Sequence, residues 1–228
     1  MGGETWAIVV AAGAGERLAA DRPKAFVRLG GRTMLAWSLS MLDDHDLIDG
    51  IVMVVPEEYE ERASLLADDL CATKIAAAVA GGATRPESVA AGLACVPESA
   101  AYVLVHDAAR PLVPPEVVDR VVEALRAGAQ GVVPALPLVD TVKRVGPDGS
   151  VSETLDRSAL RAVQTPQGFP LAVLRAALEG DAAGATDCAS MVERLGRPVV
   201  CVDGDERAFK ITTPADLARA TQMAREDD

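Results

Sequence analysis

Trp6 to Ala12 (WAIVVAA) is apolar without interruption and stops at Gly13. A strand with one wet face would alternate. A continuous apolar run bounded by glycine fits a strand buried on both faces, as in a parallel sheet covered by helices. The unit recurs along the chain. Ile51 to Val55 is closed by Pro56, and Ile75 to Val79 precedes Gly81-Gly82. Tyr102 to Val105 ends in His106-Asp107, and Gly131 to Ala135 is a further run. Between these lie helical stretches at Leu35 to Leu42, Glu57 to Leu70, Ser88 to Val96 and Glu116 to Ala127, the last opened by Pro114 and Pro115. The alternation predicts an α/β fold, a doubly wound, mostly parallel sheet of Rossmann-like type. The composition is compatible: half of the residues are hydrophobic but only 3% are aromatic, which suits small branched side chains packed under helices.

The pattern changes after Leu138. Leu138 to Leu155 alternates apolar and polar residues around Gly146-Pro147-Asp148-Gly149, a strong turn signal, and predicts a projecting antiparallel β-hairpin arm. An isolated hairpin is marginal in water, so the arm is expected to pack against something, such as a second subunit. Helices follow at Leu171 to Leu178 and Asp187 to Leu195, a strand at Val199 to Val202 and a short edge at Phe209 to Ile211. Thr213-Pro214-Ala215-Asp216 supplies a cap, a first-turn proline and an N3 carboxylate for a last helix. With no repeat or long linker, residues 1–228 read as one domain, the arm spanning approximately 138–158.

A formal net charge of −12 is opposite to what a general nucleic-acid surface needs, so no nucleic-acid partner is expected. Anionic substrates are then left to a few concentrated cations. Four scattered cysteines and two histidines form neither a disulfide framework nor a histidine-rich metal site. No basic-then-apolar leader and no apolar run of membrane-spanning length is visible, so a cytoplasmic protein with no membrane partner is expected.

The first strand delivers Ala11-Ala12-Gly13-Ala14-Gly15-Glu16-Arg17, then Arg22-Pro23-Lys24. A glycine-rich turn after a strand can aim backbone N–H groups at phosphates. Leu18 stands where a dinucleotide fingerprint needs Gly or Ala, and no Gly-Lys-Ser/Thr exists for a Walker loop. What remains is Gly-x-Gly-x-Arg with Pro-Lys seven residues on. Arg17 can fork two donors onto phosphate oxygens, and Lys24 adds a compact charge that Pro23 helps to aim. The plain alternative is a strand-to-helix turn carrying two solvated cations.

These segments, with GGATRPESV (81–89), VLVHDAARP (103–111), VDTVKR (139–144), LDR (155–157), QTPQGF (164–169) and FKITTPADL (209–217), resemble the 2-C-methyl-D-erythritol 4-phosphate cytidylyltransferases of the non-mevalonate isoprenoid pathway. Ribitol-5-phosphate cytidylyltransferases share most of the motifs. The resemblance implies a nucleotidyltransferase that uses CTP and releases pyrophosphate. It implies Arg17 and Lys24 as the cations of the transition state. Ala11, Ala12, Gly13, Gly82 and Ser88 fall where base and ribose are held, with Ala14 and Gly15 completing the nucleotide turn. Asp107 falls where magnesium is bound. Arg110, Thr141, Arg157, Thr165 and Lys210 fall where the polyol phosphate is gripped, Thr141 and Arg157 coming from the partner's arm in a homodimer. Two positions depart from the pattern. Ala83 replaces a polar or acidic residue of some members, and Ala208 replaces a common Asn, leaving Asp205 or Glu206 as a second metal carboxylate.

The chemistry is consistent with this residue set. An acceptor phosphate with a second pKa of about 6 is already mostly dianionic, so no general base is needed. The barrier is the meeting of two anions, which positive charge and positioning lower. Mg²⁺ usually takes one or two carboxylates plus substrate phosphates, and Asp107 stands at a strand end, where open α/β sheets bind ligands. His106 reads as a structural partner, and Cys188 with Met191, at helical spacing, as core. A different class also stays open, a non-catalytic nucleotide-binding protein on the same fold.

Overall fold

The computed structural model describes residues 3–13, 15, 18, 22–180 and 184–226. Strand β1 (Glu4–Val10) leads to a short ribbon, β2 (Arg28–Leu29) and β3 (Arg32–Thr33). There follow α1 (Met34–Asp43), β4 (Gly50–Val55), α2 (Glu60–Asp69), β5 (Ile75–Ala80), α3 (Arg85–Leu93), β6 (Ala100–Asp107), α4 (Pro115–Arg126) and β7 (Val132–Pro137). The hairpin is β8 (Val142–Val145) and β9 (Val151–Leu155). Then come β10 (Arg161–Val163), β11 (Gln167–Pro170), α5 (Leu171–Glu179), α6 (Cys188–Arg194), β12 (Val200–Asp203) and α7 (Pro214–Glu226).

The main sheet runs β10–β7–β11–β6–β1–β4–β5, with β12 parallel to β7. β1 pairs in parallel with both β4 and β6, and β4 with β5. The strand order therefore reverses at β1, and the crevice at the carboxyl ends of β1 and β6 is the switch point where such sheets bind ligands. Successive side chains of a strand face opposite ways. Ala7, Val9, Ile51, Met53 and Val55 accordingly pack in one core with α1, α2 and α4. Ile8, Val52 and Val54 join the other, with α3, α5 and α6. Cys188 and Met191 are buried in this second core, as their spacing suggests. Helix α7 covers a third cluster through Ala220 and Ala224, against Leu18, Leu29, Met34 and Leu112.

Several boundaries differ from the sequence expectation. Helix α3 begins at Arg85 rather than Ser88, because Thr84 and Glu87 form a reciprocal capping box three residues earlier. Strand β11, which periodicity did not reveal, runs antiparallel between β6 and β7, and β10 pairs antiparallel with the end of β7. Residues 209–211 form no strand. Their backbone is tied to the segment after β6 by a bond from Ile211 N–H to Ala109 O (2.9 Å). The hairpin turn follows the Pro-Asp-Gly signal: Gly149 has φ +80°, and the Asp148 carboxylate accepts from Ser150 N–H at 3.1 Å. β8 and β9 pair with each other and not with the main sheet. Val139, Val145 and Val151, on or beside them, are exposed.

Candidate active site

Register places the site. Val10 is the pairing partner of Asp107, so the glycine-rich turn leaving β1 and the carboxylate closing β6 emerge side by side. Ala108 N–H bonds back to Val10 O (3.1 Å), Ala11 N–H to Val54 O (2.7 Å) and Gly81 N–H to Val55 O (2.8 Å), tying the ends of β6, β1, β4 and β5 together. Between them lies a cleft of about 310 Å³. Its walls are Val10 to Gly13, Gly15, Lys24, Ala25, Gly82 to Arg85, Ser88, Asp107 to Ala109 and Lys210.

Lys24 is held in place by its neighbours. It opens a 3-10 turn after Pro23, and Ala25 and Phe26 are buried in the core beneath it. The Phe26 ring lies 4.6 Å, centroid to centroid, from that of Tyr59. A Cβ built on Gly15 would come within 2.5 Å of Lys24 Cβ, so the turn and the lysine are in close approach. Ser88 is buried, and its Oγ donates to Thr84 O (3.0 Å).

Asp107 lines the same cleft and sits between two cations. Lys210 Nζ donates to Oδ2 at 2.7 Å, and Arg85 NH2 to Oδ1 at 3.1 Å. Burial alone would raise this carboxyl, but the Arg85 guanidinium and the Lys210 ammonium outweigh it and hold Asp107 below the usual carboxylate range. It is ionised at neutral pH, as a magnesium ligand must be. Among the described residues no group of three or more His, Cys, Asp or Glu could hold a metal by itself. One ionised carboxylate on the cleft wall does fit a Mg²⁺ that brings most of its ligands with a triphosphate.

Lys210 reaches the cleft because its segment is stitched to the chain after β6. Arg110 donates to Ala208 O (2.6 Å), and Ile211 N–H bonds to Ala109 O. Ala208 is fully buried against Val113 and Val117. Arg110 also donates to Val163 O at 3.2 Å, so its guanidinium clamps two loops instead of lining the cleft. Thr165 likewise turns inward. Its Oγ1 accepts from Asp107 N–H (3.0 Å) and lies 3.2 Å from His106 Nδ1. His106 is fully buried, and burial pushes its pKa down to about 4, so it is a neutral structural partner.

Ala14 and Arg17 lie outside the described residues. Thr141 and Arg157 are exposed on the arm and do not line the cleft; Arg157 donates to Val139 O. Asp205 and Glu206 are not brought to Asp107. The Asp205 carboxylate caps Arg207 N–H at 2.7 Å, and Glu206 is exposed. Arg85 was not singled out by sequence reasoning, although it stands in the GGATRPESV segment at a strand-to-helix turn, where a cation can be presented to a strand-end carboxylate.

Residues 5–226 match the family model described as IspD, 2-C-methyl-D-erythritol 4-phosphate cytidylyltransferase. A curated protein of that name from Nocardia farcinica is 52% identical over 221 residues, covering 97% of this chain and 94% of its own. One from Rhodococcus jostii is 49% identical over 225 residues, covering 98% and 96%. The crystal structure of the cytidylyltransferase of that name from Thermus thermophilus superimposes with a TM-score of 0.78 at 37% identity, covering 96% of this chain and 98% of that one. The 4-diphosphocytidyl-2C-methyl-D-erythritol synthase from Anaerococcus prevotii gives 0.86 at 29% identity, covering 99% and 100%.

Proposed function

The chain belongs to the IspD family of 2-C-methyl-D-erythritol 4-phosphate cytidylyltransferases, and from that premise we propose how its cleft carries out the reaction. It is a nucleotidyltransferase of isoprenoid precursor synthesis, converting CTP and 2-C-methyl-D-erythritol 4-phosphate to 4-diphosphocytidyl-2-C-methyl-D-erythritol and pyrophosphate. The observation that carries the site reading is that a glycine-lined turn, Lys24, Asp107 and Lys210 line one cleft.

In this reading the cytidine lies against Ala11, Ala12, Gly13, Gly82 and Ser88, and the triphosphate follows the turn through Ala14 and Gly15. An oxygen of the acceptor phosphate forms a bond to the α-phosphorus. The bond from that phosphorus to the bridging oxygen breaks, and pyrophosphate leaves with the electron pair. Lys24 and Arg17 offset the charge that builds on the α-phosphate and the leaving group, which is where such transfers gain most of their rate. Lys210 draws the acceptor phosphate toward the strand end. A Mg²⁺ held by Asp107 would screen the triphosphate and polarise its oxygens. Arg110 and Thr165 act indirectly, one by holding the Lys210 segment and the other by fixing the Asp107 backbone.

The chain works as one domain whose arm reaches a second copy. Exposed valines on a two-stranded hairpin support this, since such a hairpin gains stability by packing. Thr141 and Arg157 then complete the acceptor site of the partner in a homodimer. No helix among the described residues is long and apolar enough to cross a membrane. The four cysteines are all free, which is consistent with a cytoplasmic location.

The test is a matrix of the four ribonucleoside triphosphates against methylerythritol, ribitol and other polyol phosphates with Mg²⁺, scored by pyrophosphate release. Release confined to CTP with methylerythritol phosphate is expected. Preference for ribitol phosphate would overturn the acceptor, and CTP binding without release under every condition would overturn the enzymatic reading.

A further inference from the structure

Arg85 lines the cleft, yet its guanidinium is turned toward protein. NH2 and Nε address Asp107 Oδ1 at 3.1 and 3.4 Å, and NH1 donates to Cys188 Sγ at 3.3 Å. All three nitrogens therefore have protein partners, which commits three of the five N–H donors to Asp107 and Cys188. The two cations on Asp107 are also unequal. The Arg85 side chain is 22% exposed and that of Lys210 41%. Arg85 is the inner, anchored contact and Lys210 the outer one.

The anchor is itself rigid. Cys188 is fully buried at the first turn of α6. The N–H groups of Cys188 and Ala189 both donate to Gln167 Oε1, at 3.2 and 3.3 Å, and Gln167 Nε2 donates to Asp187 at 2.8 Å. A fixed shelf thus runs from β11 through the start of α6 to the guanidinium.

We propose that Arg85 is a positioning residue: backed by Cys188, it fixes the rotamer of Asp107 and so sets where a divalent cation meets the triphosphate, without gripping the nucleotide itself. The inference rests on the cytidylyltransferase reading. Its physical basis is that a metal-binding carboxylate works through its orientation, and partners that hold such ligands are typically worth about 10–100-fold in metal affinity or activity. Lys210, the more exposed cation, holds Oδ2, while the less exposed Arg85 holds Oδ1.

The experiment compares the full-length protein with Arg85→Gln, Arg85→Lys and Cys188→Ala. Three quantities are read: Mn²⁺ affinity in the presence of CTP alone, by electron paramagnetic resonance; kcat and KM for CTP; and the melting temperature. For Arg85→Gln, kcat and Mn²⁺ affinity are each expected to fall about 10–100-fold, with little change in the KM for CTP. Arg85→Lys should recover part of both losses. Cys188→Ala keeps the charge but removes its backing, so it should show a smaller loss in the same two readouts, which keeps the test open if Arg85→Gln does not fold. A raised KM for CTP at unchanged kcat would mean that Arg85 grips the nucleotide directly and would overturn the proposal. So would unchanged kcat and Mn²⁺ affinity with only a lower melting temperature. Absence of pyrophosphate release by the unmodified protein would instead sink the underlying functional reading.

Discussion

Gly15→Ala tests the close approach between the turn and its lysine. Gly15 has φ +71°, where an alanine costs about 1–2 kcal/mol relative to glycine. For a chain of this length that cost lowers the melting temperature by about 2–8 °C. The added methyl would also stand 2.5 Å from Lys24 Cβ and 3.3 Å from its Cα. Ordinary contact begins near 3.4 Å, so the Cβ of Lys24 must retreat by about 0.9 Å, and a misplacement of about 1 Å in an active site can cost about 100-fold in rate. A new side-chain rotamer does not relieve a collision at Cβ, so the start of the 3-10 turn has to shift. Kinetics of pyrophosphate release and thermal melting read the two effects separately. Gly128→Ala is the comparison: it also has a positive φ (+102°), but an added Cβ meets nothing within 4 Å and the site is remote from the cleft. It should lose stability and keep its kcat. If Gly15→Ala turned over like the unmodified protein, Lys24 would not act from the position assigned to it.

Lys24→Ala should reduce kcat by about 100-fold or more while CTP binding, followed by calorimetry, is mostly retained; near-normal turnover would remove the lysine from the mechanism. Arg157→Ala should raise the KM for the polyol phosphate far more than that for CTP, and equal effects on both would count against a role for the arm in acceptor binding. Burial pushes the Cys188 thiol up to about 11, whereas Cys71 and Cys201 are exposed. A colorimetric disulfide reagent near pH 8 should therefore label Cys71 and Cys201 in the folded chain and reach Cys188 only after denaturation. Rapid labelling of Cys188 under native conditions would contradict the packing of α6.

Much of this protein is written locally. Uninterrupted apolar runs closed by Gly, Pro or Asp define β1, β4 and β6, because a strand buried on both faces leaves no polar position for water; β5, at the sheet edge, carries the same kind of run although it is only partly buried. Pro-Asp-Gly specifies the hairpin turn, since few residues accept the positive φ found at Gly149. The glycine-rich turn, Lys24 and Asp107 were legible as separate motifs because backbone freedom and charge are properties of single residues, whereas Lys210 was marked only by the resemblance. Their meeting was not legible. It depends on the Val10–Asp107 register, on a loop clamped by Arg110, and on β11 entering antiparallel beside β6, all contacts between residues distant in sequence. Thr165 and Arg110 resemble substrate ligands as residue types, and only packing shows that Thr165 Oγ1 meets Asp107 N–H and that Arg110 bonds to Ala208 O and Val163 O. Arg85 is the converse case, an ordinary cation in a helix first turn until the fold sets Asp107 on one side of it and Cys188 on the other. Residue type determines which interactions a side chain can make; which of them it makes is decided by long-range contacts, because the partners come from strands and helices that only the assembled sheet brings together.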